Sequence, residues 1–129
     1  MRTAIVTGAN RGVGRGVAKR LAQLGYRTIC TSRDEGKGKR TVDEIIREIG
    51  AKIAGDLAVH QLDVTDPDSI RRLYDFVMSD YGAADVLVNN AAVLIDRNCR
   101  VLQTSVETYR TTMETNVYGA LLLCQMFIP

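Results

Sequence analysis

Residues 7–14 read TGANRGVG, and Gly8, Gly12 and Gly14 fall within seven positions directly behind an apolar run. Glycine loses more conformational freedom on folding than any other residue, so a cluster marks backbone that turns sharply or is closely approached. Arg11 lies inside the cluster. A strand ending here, followed by a helix starting among small residues, opens free N–H donors and the positive end of the helix dipole to an anion such as a pyrophosphate. A second basic residue, Arg33, follows Ser32 at the end of RTICTS. Its planar fork suits a phosphate. Two more groups stand at the ends of apolar stretches: Asp63 and Val64 in LDVT, and Asn90 and Ala91 in NNAA. His60 is the sole histidine and has no acid–base partner near it in sequence, so it reads as a surface or satisfied core residue. Cys30, Cys99 and Cys124 are odd in number and form no CxxC pair. They read as reduced thiols rather than a disulfide framework or a zinc site, and no metal site is expected.

Hydrophobic periodicity supplies the elements that hold these residues. RTAIVT (2–7) is short, β-branched and closed by Gly8, the pattern of a buried strand. From Gly14, Val17, Ala18, Leu21, Ala22 and Leu24 recur at helical spacing up to Gly25. RTICTS (27–32) is a second strand, and residues 36–50 hold a second helix with Val42, Ile45, Ile46 and Ile49 on one face. LAVHQLD (57–63) is a third strand. Thr65 or Asp66 caps the next helix, Pro67 sits in its first turn, Ile70, Leu73, Phe76 and Val77 form its inner face, and Gly82 closes it. DVLVNN (85–90) is a fourth strand, 91–104 a loop, and Ser105 caps a last helix along which Val106, Tyr109, Met113, Val117, Leu121 and Leu122 recur. Met113, Met126 and Phe127 read as packing residues of that helix. The strand–helix alternation predicts an α/β fold with a parallel sheet covered on both faces. Right-handed crossovers then place a ligand crevice at the C-terminal ends of strands 1 and 4.

The spacing T-G-x-x-x-G-x-G differs from the standard dinucleotide fingerprint and resembles that of the short-chain dehydrogenase/reductase family, in its short single-domain branch. LDVT, NNAA and ETNVYGALLL (114–123) resemble three further family stretches in the same order; Ala92 stands where the family has Gly. The resemblance covers essentially the whole chain. It implies that residues 1–129 form an NAD(P)-binding Rossmann-like domain, a doubly wound parallel sheet of order 3-2-1-4 that is incomplete relative to the family. Gly8, Asn10, Arg11, Gly12, Val13 and Gly14 would cradle the pyrophosphate side, Asp63 and Val64 the adenine, and Asn90 and Ala91 the nicotinamide-side ribose. Asn116 would be the family's helix asparagine, which holds a water in the proton relay. Ser32 and Arg33, with Arg11 nearby, would read the 2′-phosphate of NADP; Asp34, one residue on, is the route to NAD instead.

The family's hydride chemistry also needs a Ser and a Tyr followed four residues later by Lys. The residues four positions after Tyr26, Tyr74, Tyr81, Tyr109 and Tyr118 are Cys30, Met78, Asp85, Met113 and Leu122. The chain therefore resembles the N-terminal, cofactor-binding half of an NADP-dependent carbonyl or alcohol oxidoreductase. A non-catalytic dinucleotide-binding module and an inactive fragment are the alternatives. A net charge of +2, 5% aromatic residues and no Trp leave no footprint for nucleic acid, and the apolar stretch 119–128 is too short to span a bilayer. A reduced, cytoplasmic protein is expected. The apolar edge Val86–Val88 would recruit other chains, so a homo-oligomer is expected too.

Overall fold

The computed structural model describes residues 1–129. Four strands, β1 (Thr3–Val6), β2 (Arg27–Ser32), β3 (Asp56–Gln61) and β4 (Val86–Val88), form one parallel sheet of order β3-β2-β1-β4. Helices α1 (Gly12–Gln23), α2 (Glu35–Ile49) and α3 (Pro67–Tyr81) make the crossovers. After β4 the chain runs through a loop to α4 (Val106–Met113), a π-helical turn (Glu114–Gly119) and α5 (Ala120–Phe127).

β1 is buried along its whole length, as the inner strand of a doubly covered sheet must be. Its side chains alternate between two cores. Ile5 joins Ile29, Ile70, Leu73, Val77, Leu123 and Phe127 beneath α3 and α5, whereas Val6 joins Cys30, Ala18 and Val42 beneath α1 and α2. Ala22, Ile45 and Ile49 extend the second core where α1 meets α2. Burial pushes the Cys30 thiol up to about 12.

Local signals in the sequence set most element ends. Asp66 caps α3 through Asp68 N, with Pro67 in the first turn, and Gly82 closes the helix in the left-handed region. Ser105 caps α4 through Thr108 N. α1 begins at Gly12 rather than Gly14, because Arg11 is still extended and Gly12 takes a φ of +57°.

The helix faces needed correction. Leu24 and Ile46 point to solvent, at 56% and 43% exposed. Leu24 lies past the last turn of α1, and Ile46 is rotated off the seam that holds Ile45 and Ile49. The final helical segment departs further. Val106, Tyr109, Met113, Val117, Leu121 and Leu122 are all exposed, so Met113 does not pack inward. The less exposed side is instead Thr108, Thr112, Thr115, Gly119, Leu123 and Phe127. Gly119 is required there, because a Cβ would press into Val64 at 2.7 Å. The segment thus carries two stripes, and the more apolar of the two is the uncovered one.

Candidate functional site

The C-terminal ends of β1, β2, β3 and β4 open into one cleft of about 1310 Å³, at the crevice expected for this topology. Gly8, Asn10, Arg11, Gly12, Val13, Ser32, Arg33, Asp63, Val64, Asn90 and Ala91 all line it. Gly14 and Asn116 do not.

The glycine loop is built around Thr7, which is almost wholly buried. Its hydroxyl oxygen accepts from the backbone N–H of Asn90 and of Ala91, both at 2.9 Å, and donates to Val88 O at 3.3 Å. The Asn90 side chain answers by donating to the carbonyls of Thr7 (3.0 Å) and Gly8 (3.1 Å). Both its amide protons are therefore spent on fixing the loop. Its backbone N–H is engaged by Thr7 as well, which leaves Asn90 only acceptor atoms to offer a ligand. A Cβ on Gly8 would sit 3.0 Å from Ala91 Cα, and one on Gly14 would collide with the Asn90 amide. These two glycines serve contacts within the protein. Gly12 has nothing within 4 Å of a built Cβ, so it faces the open cleft.

No side chain caps α1, and the N–H groups of Gly12, Val13 and Gly14 find no acceptor in the protein. Asn10 O, which the N–H of Gly14 would otherwise approach, accepts from the hydroxyl of buried Thr41 on α2 at 3.0 Å. Such unpaired donors at the positive end of a helix, beside an open glycine, make an anion cradle.

At the end of β2 the Ser32 hydroxyl is buried and donates to the carbonyl of Asp34. Its one proton is thus engaged in shaping the turn. Asp34 caps α2, accepting from Lys37 N at 3.1 Å, and this bond holds its carboxyl below the ordinary range. Arg33 is exposed and belongs to none of the protein's ion pairs, and the same is true of Arg11. Lys37 also lines the cleft. Lys37 is not among the residues that the motifs mark; its place four positions beyond Arg33 is the signal in the sequence.

Past β3, Asp63 Oδ1 accepts from the backbone N–H (2.9 Å) and hydroxyl (2.7 Å) of Thr65, so this residue orders the turn into α3 while lining the cleft. Asn116 sits in the π-helical turn. Its amide donates to Val93 O at 2.9 Å and its carbonyl accepts from Val93 N at 2.8 Å. The side chain pins the loop after β4 with one donor and one acceptor, while Glu114 and Thr115 of the same turn reach the cleft. Ala92 carries no positive φ, so the backbone there accepts Ala in place of Gly.

A doubly wound sheet with this cleft at its switch point defines a dinucleotide-fold protein. The family model for short chain dehydrogenases matches residues 2–129, and the chain belongs to that family. It is 39% identical over 144 residues to (+)-neomenthol dehydrogenase of Arabidopsis thaliana, covering 99% of this chain and 48% of that protein. It is 36% identical over 131 residues to carbonyl reductase (NADPH) 1 of Rattus norvegicus, covering 98% and 43%. A metagenomic short-chain oxidoreductase solved in complex with NADP superposes with a TM-score of 0.85 at 30% identity, over 99% of this chain and 55% of that one. The chain spans about half the length of the relatives it matches.

Proposed function

We propose that residues 1–129 are the dinucleotide-binding domain of an NADP-dependent oxidoreductase that moves hydride between the nicotinamide and a carbonyl or alcohol. One observation carries the choice of NADP. Arg33 at the end of β2 and Arg11 in the glycine loop both line the cleft and stand unpaired, while Asp34, the residue that would select NAD, spends one carboxylate oxygen on the N-terminus of α2. Asp34 lines the cleft too, and the two guanidinium groups there outweigh its single carboxylate. The NADP complex of a similar oxidoreductase and the NADPH in the name of a similar reductase support the same reading.

When bound, the nicotinamide supplies or takes the hydride. The chain's residues bind and orient. The N–H groups of Gly12, Val13 and Gly14 would hold the pyrophosphate, Arg11 and Arg33 the 2′-phosphate, Asp63 and Val64 the adenine, and Ala91 with the Asn90 carbonyl oxygen the ribose nearer the nicotinamide. Asn116 acts as a positioning residue, through its two bonds to Val93. A cytoplasmic place suits a chain whose Cys30 thiol is buried and held protonated.

Arg33→Asp tests the cofactor reading. Removing one charge-assisted bidentate contact and adding a repelling carboxylate should weaken NADPH binding by about a hundredfold or more, with NADH affected less than threefold. Equal losses for the two cofactors, measured by calorimetric titration, would sink the role of Arg33 and with it the preference for NADP.

A further inference from the structure

We infer that Arg97 is a third arm of the 2′-phosphate site, brought over the cleft by the loop that follows β4. The inference rests on the NADP reading above and extends it to a residue on a different loop. Arg11, Arg33 and Arg97 come from three separate connections and line one cavity of about 410 Å³, together with Ala92, Val93, Leu94 and Ile95. None of the three takes part in any of the protein's ion pairs. Other unpaired cations, such as Arg20, Arg47 and Lys52, line neither this cavity nor the large cleft; what sets Arg11, Arg33 and Arg97 apart is that they share one cavity. Three guanidinium groups around one cavity repel one another, and no carboxylate lines that cavity. An anion with several oxygens removes the repulsion and can take a fork from each side.

The loop is held so that Arg97 is presented rather than adrift. Val93, at its start, is bound twice by the Asn116 side chain. Farther on, Cys99 N donates to Asp96 O at 2.9 Å, closing a tight turn with Arg97 and Asn98 at its tip. Leu94 and Ile95, exposed at 62% and 51%, flank the cavity and give it an apolar wall. Arg11 and Arg33 also line the large cleft, so the two spaces meet at the very residues that distinguish NADP from NAD.

Arg97→Ala is the test, with NADPH and NADH titrated calorimetrically into the variant and the parent chain. Arg97 is exposed and supports no packing, so the fold should be unaffected. We expect NADPH to bind about tenfold more weakly, the worth of one charge-assisted contact, and NADH to change less than twofold. Inorganic phosphate should compete with NADPH less effectively in the variant than in the parent. Equal weakening of both cofactors, no change in either, or unaltered competition by phosphate would overturn the third arm. A silent Arg97→Ala beside a discriminating Arg33→Asp would remove Arg97 alone. A non-discriminating Arg33→Asp would remove the NADP reading itself.

Discussion

Gly8, Gly12 and Gly14 are glycine for different reasons, and only one of those reasons is the cleft. Gly8 and Gly14 admit Asn90 and Ala91 of the protein itself, while Gly12 turns in the left-handed region beside open space. Substitution should separate them. Gly14→Ala drives a methyl group into the Asn90 amide and should cost about 1–3 kcal/mol, seen as a lowered melting temperature with or without cofactor. Gly12→Ala meets no neighbour and should cost about 1 kcal/mol of backbone strain, while obstructing cofactor binding more than stability. Similar stability losses in both, with unchanged cofactor affinity for Gly12→Ala, would contradict the division. Thr7 belongs to the same small device, since one hydroxyl oxygen collects two backbone donors from the end of β4. Nothing in the composition of a TG pair announces that partner, 83 residues away.

α1 and α2 are joined at their outer side by charge as well as at their inner side by Ala22, Ile45 and Ile49. Glu48 accepts from Arg15 and from Lys19, and these bonds hold its carboxyl at about 2 against its usual 4.5. The unfolded chain takes up that proton first as pH falls. The stabilisation is therefore complete above about pH 4.5 and is withdrawn as pH falls toward about 2. Glu48→Gln should leave the urea midpoint less dependent on pH across that window; an unchanged slope would show that the contact is screened by solvent. The last helical segment is governed by geometry more than by charge. A π-helical turn at Glu114–Gly119 places Asn116 against Val93 and Gly119 against Val64, and so ties the loop carrying Arg97 to the floor of the cleft.

Across the whole molecule, both outer strands of the sheet keep a free edge. β3 pairs only with β2 and β4 only with β1, leaving Val86–Val88 with one side unpaired. Along the last helical segment Tyr109, Met113, Val117 and Leu121 are exposed. An exposed apolar stripe attracts further chain, as an unpaired strand does. We propose a homo-oligomer on this face for the 129-residue chain. Sedimentation at high protein concentration should reveal species heavier than 14.2 kDa, and Val117→Lys with Leu121→Lys should return the monomer. A clean monomer at all concentrations would remove the proposal. The matched relatives are about twice as long.

The sequence by itself determined the alternating elements, several of their caps, the strand order by family resemblance and about half of the residues on the cleft wall, because period, turn chemistry and the TGANRGVG spacing are local. β2 falls at Arg27–Ser32 as read, and Asp66, Pro67, Gly82 and Ser105 end their helices as their side chains and backbones require. Only the tertiary structure decided what each polar group spends its hydrogen bonds on. Ser32 and Asp34 look alike as ligand contacts in sequence, yet one is committed to a turn and the other to a helix cap. Periodicity found the apolar stripe from Val106 to Leu122 but gave no means of knowing that the threonine side opposite it would be the less exposed one. Arg97 lies 64 positions from Arg33 in a loop without pattern, and their meeting at one cavity is a product of topology alone.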